Sequence, residues 1–268
     1  MNILITGCAG FIGSALWSRW ASKYRLIGID DLSRPTSNPP IIDSLQHHLF
    51  FREDILNVGN LPLPKLDFIV HLAGQVSVVA SLSDPIRDSL VNCHGTLLLC
   101  LLAKRHGCPL IYSSTNKVFG ELTGVTVPIK DSTPLNPQTP YGVSKSAGAS
   151  YVLDLLPNNG FVFHQSCIYG SSQVGTLDQG WIGWLRGNIK SNNPITCFGN
   201  GKQVRDLLNV EDLLDLYQIA LEGHMPSGAY VTGGGVENSY TFEEVVGLLG
   251  GSIKKYDAWR DHDQRHIF

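Results

Sequence analysis

Charge of either sign is scarce in this chain of 268 residues: charged residues make up 16% and the net charge is −3. No broad basic surface can form, which argues against nucleic acid and anionic membrane as general partners. Long apolar runs are missing too, and none approaches the ~20 residues needed to cross a bilayer. The N-terminus enters a strand directly, with no basic segment leading an apolar stretch, so no secretory signal is expected and the cytosol is the expected location. Six cysteines (Cys8, Cys93, Cys100, Cys108, Cys167 and Cys197) show neither C-x-x-C nor zinc-like spacing. They read as reduced core residues, and no metal site is expected. Internal repeats and low-complexity tracts are absent. What is present is a chain 43% hydrophobic, long enough for one large domain or a large and a small one.

The strongest signal comes first. Thr6-Gly7-Cys8-Ala9-Gly10-Phe11-Ile12-Gly13 follows the apolar run Asn2-Ile3-Leu4-Ile5 and opens a helix-compatible segment. Three glycines at spacing three allow a sharp turn, a close approach to phosphate and tight packing of helix on sheet. The helix start, with Phe11 and Ile12 behind Gly10, presents free N–H groups and a positive dipole end to an anion. An acidic residue is then expected about 20 positions on, to accept from the adenosine ribose hydroxyls. Asp30, after Leu26-Ile27-Gly28-Ile29, stands there. Its charge would repel a 2′-phosphate and favours NAD, although Arg34 nearby leaves NADP open.

Along the chain, Ser33 to Pro40 reads as a loop over the adenosine end, and His47 and His48 as surface residues before a third strand, Leu49-Phe50-Phe51. Asp54 and Ile55 follow, where a carboxylate and an apolar neighbour could flank adenine. Asp67 to Gly74 is a buried strand running into Leu72, Ala73 and Gly74, suited to a backbone passing close to ribose and pyrophosphate. Apolar positions from Asp84-Pro85 to His106 recur at helical spacing and predict one long core helix. Cys108 to Ser113 is a strand that delivers Ser113-Ser114-Thr115 at its C-terminal end, where ligands gather in open parallel sheets. Pro134, Pro137 and Pro140 postpone the next helix to Tyr141–Leu156, and Phe161 to Cys167 is again a strand. The alternation predicts an α/β fold, a doubly wound, Rossmann-like parallel sheet. Residues 1–170 are expected to bind NAD. Residues 171–268 are expected to form a smaller, interleaved substrate region, with about 204–223 packing back on the first.

Tyr141 and Lys145 lie four residues apart, on one face of a helix. A phenol titrates near ~10 and takes a proton at neutral pH only if a nearby cation favours the phenolate. Lys145 and a nicotinamide ring are the expected cations, and Thr115 the group that holds the substrate hydroxyl in line. Trp181 and Trp184, at i and i+3, read more readily as core than as a platform for a base.

These motifs resemble the extended short-chain dehydrogenase/reductase family, the NAD-dependent nucleotide-sugar epimerases and dehydratases. The resemblance spans the whole chain. Further matches are Asp30-x-Leu32-Ser33, His71-Leu72-Ala73-Gly74-Gln75, Asn92-x-x-Gly95-Thr96, Tyr112-Ser113-Ser114-Thr115 and Gly199 to Asp206. Within the family, Ser113 to Gly120 and Asp178 to Trp184 look most like the CDP-paratose/CDP-tyvelose 2-epimerases. The resemblance implies Tyr141 as base, Lys145 on the nicotinamide ribose, and Thr115, Gln75 and Asn116 on the sugar. It further implies Arg205 on the substrate diphosphate, and Arg260 and Asp263 on its phosphate and ribose. A homo-oligomer and a place in polysaccharide biosynthesis are implied likewise.

Sugar-nucleotide dehydratases follow the strand-end Thr with an acidic pair, because eliminating water needs a proton donor and a base. Asn116 and Lys117 stand here instead, which favours epimerisation by transient oxidation to a keto sugar. The rivals are a UDP-hexose 4-epimerase of the same fold and a catalytically idle NAD-binding module. Compared with relatives, the chain looks short after Gly120 and truncated after Phe268.

Overall fold

In a computed structural model of the chain, the described residues are 1–34, 36–37, 48–121, 128–176, 178–260 and the backbone of 266–267. Asp263, His47, residues 35 and 38–40 of the loop that starts at Ser33 and the stretch at 122–127 lie outside them.

Ile3, Leu4 and Ile5 of β1 (Asn2–Thr6) are fully buried, as a strand covered on both faces requires. Parallel to it on one side run β2 (Arg25–Asp30) and then β3 (Leu49–Arg52). On the other side come β4 (Phe68–His71), β5 (Leu110–Thr115) and β6 (Gly160–Gln165). The chain returns much later to add a seventh strand, β10 (Gly228–Thr232), so the sheet order is β10-β6-β5-β4-β1-β2-β3. Strand order reverses between β1 and β4, and a crevice opens above the carboxyl ends of the strands there.

That seventh strand comes from the half that the sequence pattern gave to a smaller region. Between β6 and β10 lie β7 (Cys167–Tyr169), β8 (Ile195–Phe198) and β9 (Val204–Asn209). They build two small sheets with β11 (Ser239–Thr241), β12 (Ile253–Asp257) and β13 (His266–Ile267).

Two cores sandwich the main sheet. Ile3 and Ile5 point to the face covered by α1 (Phe11–Trp20) and α7 (Val210–Leu221), where Trp17, Trp20, Leu213 and Tyr217 are buried. Leu4 and Ile27 point to the other, covered by α4 (Gly95–His106) and α5 (Pro140–Leu155). Ahead of α4 stand α2 (Val78–Ser83) and α3 (Pro85–Ser89), joined to it through a π turn at Leu90–His94. Pro85–His106 is long and apolar enough to span a membrane by composition, yet half of it is buried within the protein. Packed on the small sheets, α6 (Trp181–Lys190) and α8 (Phe242–Leu248) form a third cluster around Leu185, Leu207 and Val245.

Candidate active site

The glycine loop between β1 and α1 is shaped for close approach. Gly7 has φ of 68°, and a Cβ there would lie 2.6 Å from the Ala73 amide nitrogen. A Cβ on Gly13 would lie 2.2 Å from the Gly7 carbonyl oxygen. Gly10 caps α1 with no side chain over its first amides, which leaves them facing the cleft as an anion site. Asp30 ends β2 beside this loop. Its two carboxylate oxygens accept from the amides of Ala9 and Leu32, each at 2.9 Å, and burial raises its pKa. Leu32 is held at φ of 56°, a conformation disfavoured for a residue with a Cβ, by this same carboxylate. A cradle of this shape, which any side chain would fill, fits the diphosphate of a dinucleotide.

Facing it across the crevice is the start of α5. Thr139 accepts from the Gly142 amide and Pro140 occupies the first helical position, so the helix opens where Tyr141 and Lys145 can point into the cleft. Both are almost fully buried, as is Thr115 at the end of β5. Burial pushes the Tyr141 phenol up to about 12, a side-chain hydrogen bond from Thr115 pulls it down, Asp88 raises it further and Arg34 lowers it. The Lys145 ammonium, which lines the same cleft, donates to the Ser113 carbonyl and sits 4.3 Å from the centre of the Tyr112 ring. Burial pulls it down to about 7, and Asp88 works in the opposite direction.

A cleft of about 450 Å³ joins these groups, lined among others by Gly7, Gly10, Phe11, Ile12, Gly13, Leu72, Gly74, Thr115, Asn116, Tyr141 and Lys145. At its far end Arg205 and Arg260 line it together with Trp181, Trp184 and Phe242. Strand alternation on β9 sends Arg205 to the cleft, while the buried Asp206 accepts from the Gly234 amide. Arg260 lies 4.0 Å over the Phe198 ring and 3.8 Å from Asp178. Trp181 stacks on Phe242 with ring centres 5.7 Å apart. The tryptophans therefore serve the third core and the cleft wall at once.

Among the described residues, five expected site residues stand outside that lining. Asp30 supports the glycine loop as described, and Ala73 lies under Gly7. Asp54 caps the 3-10 turn at Ile55–Asn60 and pairs with Arg87 at 2.6 Å, while Ile55 is buried in the core. Gln75 spends its amide on Ser77 and on Asp88. Residues that sequence reasoning passed over include Gln165, which lines the cleft, accepts from Ser113 at 3.1 Å and donates to Tyr217 at 2.6 Å. Gln179 also lines it and reaches back to the Val76 carbonyl. No spacing marks either residue, because both act across strands or loops distant in sequence.

Over residues 3–233 the chain matches the NAD dependent epimerase/dehydratase family. It belongs to that family. The CDP-paratose 2-epimerase of Salmonella typhi is 39% identical over 93% of this chain and 83% of its own length. The UDP-glucose 4-epimerase of Mycolicibacterium smegmatis is 31% identical over 99% of this chain and 87% of its own. Among solved structures, the UDP-glucuronic acid 4-epimerase of Bacillus cereus, in complex with UDP-glucuronic acid and NAD, superposes with a TM-score of 0.87 at 26% identity. That match covers 100% of this chain and 90% of the other. This epimerase/dehydratase family member is an NAD-dependent enzyme with the parallel sheet that its sequence pattern implies. When bound, NAD would supply the acceptor and donor of a hydride, and the cradle of Gly7 to Gly13 has the shape to take its diphosphate.

Proposed function

We propose that the enzyme epimerises a nucleotide-diphosphate sugar at C2, converting CDP-paratose to CDP-tyvelose. The reading is carried by the residues beside Thr115. Asn116 and Lys117 line the cleft, and the one carboxylate among its described lining residues is Asp178, at the far end next to Arg260. A dehydratase needs an acid and a base at the sugar, and neither an amide nor an ammonium supplies that pair. The 39% identity to a CDP-paratose 2-epimerase supports cytosine as the base and C2 as the carbon.

In this reading Tyr141 takes the proton of the C2 hydroxyl while the C2 hydrogen leaves as hydride, producing a keto sugar. Thr115 donates to the phenolate and fixes the hydroxyl in line. Lys145 holds the nicotinamide ribose. Arg205 and Arg260 hold the diphosphate through charge-assisted hydrogen bonds while the sugar turns over, and Tyr141 then returns its proton. Residues 1–170 carry the cofactor and 171–268 most of the substrate contacts. Asp54, Ile55 and Gln75 act through the fold, whereas Asp263 belongs with Arg260 as a nucleotide contact. We extend the proposal to a cytosolic homo-oligomer serving polysaccharide biosynthesis.

The test is a panel of CDP- and UDP-sugars with the purified enzyme. CDP-paratose should give the 2-epimer. Tyr141→Phe should lower kcat by at least about 10³-fold while NAD remains bound. The 31% identity to a UDP-glucose 4-epimerase favours the second reading, and turnover of UDP-glucose alone would establish it in place of the first.

A further inference from the structure

Asp88 is a fully buried carboxylate on α3 that the mechanism above leaves unused. Ser144 donates to one of its oxygens at 2.5 Å, and Gln75 and Asn92 donate to the other at 2.7 and 3.1 Å. All three donors are neutral, and among the described residues no cation pairs with it directly. A buried charge held this way is expensive unless a nearby opposite charge uses it. Two of its partners lead to Lys145. Ser144 is the preceding residue on α5. Asn92 and Lys145 both lie beside Gly74, where a Cβ would be 2.9 Å from the Asn92 amide oxygen and 3.9 Å from the Lys145 ammonium.

The other groups around Lys145 provide no negative charge. From β4 comes His71, bound between the hydroxyls of Thr6 and Thr96, and from β6 His164, hydrogen-bonded to Ser114. Burial holds both imidazoles neutral, with Lys145 adding to the effect on each. From β5 come the Tyr112 ring and the Ser113 carbonyl. Tyr141, on the same helix, is a neutral phenol that burial keeps protonated.

We propose that Asp88 is a positioning residue for the catalytic turn: the counter-charge that keeps Lys145 a cation inside the protein, anchored to α5 through Ser144. It rests on the reading of Lys145 and Tyr141 given above. Asp88 favours the proton on Lys145 and also disfavours the phenolate of Tyr141. Removing its charge therefore lowers the pH at which Lys145 loses its proton and the pH at which Tyr141 loses its own.

Asp88→Asn and Asp88→Ser, two neutral substitutes measured in parallel so that one folded variant suffices, test this. With lysine labelled by nitrogen-15 at Nζ, and the Lys145 signal assigned by its loss in Lys145→Met, the titration midpoint of Lys145 should move to lower pH in either variant. In Asp88→Glu it should stay close to that of the unsubstituted enzyme. Both limbs of the kcat/KM profile against pH should shift to lower pH with the midpoint, whereas a merely structural loss would lower the profile without moving it. An unmoved or raised Lys145 midpoint overturns the proposal. The nuclear titration requires no substrate, so inactivity of the enzyme on every sugar would defeat the functional reading and leave this result standing.

Discussion

Lys145 shows how a single side chain can serve chemistry at the expense of stability. Its pKa falls from 10.5 to about 7 on burial, so between those values the unfolded chain binds a proton that the folded one does not. Stability from this group is accordingly lost as pH falls from about 10.5 to 7. Lys145→Met should abolish activity yet raise Tm at pH 7 by about 2–4 °C, with the gain shrinking toward pH 10. Thermal melts of both proteins across that range check the sign, and a lower Tm at pH 7 would contradict it. At this scale the sequence is legible where chemistry forces a spacing. Tyr141 and Lys145 face one cleft because four residues make one helical turn, and Gly7, Gly10 and Gly13 gather there because a cradle tolerates no Cβ. Illegible were the uses of Gln75 and Asp54, whose polar groups are taken by Asp88 and Arg87 from helices elsewhere in the chain.

Elements were read well where periodicity is strong and less well where packing bends it. The apolar spacing from Asp84 to His106 predicts one helix, and the chain forms it with a π turn at Leu90–His94. That turn lies against α5 at Gly148, where a Cβ would come within 2.6 Å of the Tyr112 hydroxyl and 2.9 Å of the Asn92 carbonyl. Close approach of this kind depends on residues as distant in sequence as Asn92 and Tyr112, so periodicity cannot reveal it. Gly148→Ala should gain about 1 kcal/mol in helix propensity and lose about 1–3 kcal/mol to overpacking. We expect a net destabilisation of up to about 2 kcal/mol, measured by denaturant unfolding, because Tyr112 is fully buried and has no room to withdraw. A variant more stable than the parent would show that the two helices can separate without cost. Strand β10 was equally hidden, as its five residues join the sheet only through parallel pairing with β6.

Across the whole molecule, a parallel sheet with its reversal between β1 and β4 sets the glycine cradle, the Thr115 strand end and the Tyr141 helix around one cleft. The second half of the chain closes the far end with arginine and tryptophan. Such an arrangement suits a reaction in which the sugar is oxidised, turned and reduced without leaving, held throughout by its diphosphate. If so, the hydrogen taken from carbon is the one given back. The enzyme, incubated in ordinary water with CDP-paratose carrying deuterium at C2, should yield CDP-tyvelose that retains the deuterium at C2, even late in the reaction. Product whose C2 deuterium has been replaced by solvent hydrogen would mean that carbon was deprotonated, and would contradict the role assigned here to Tyr141.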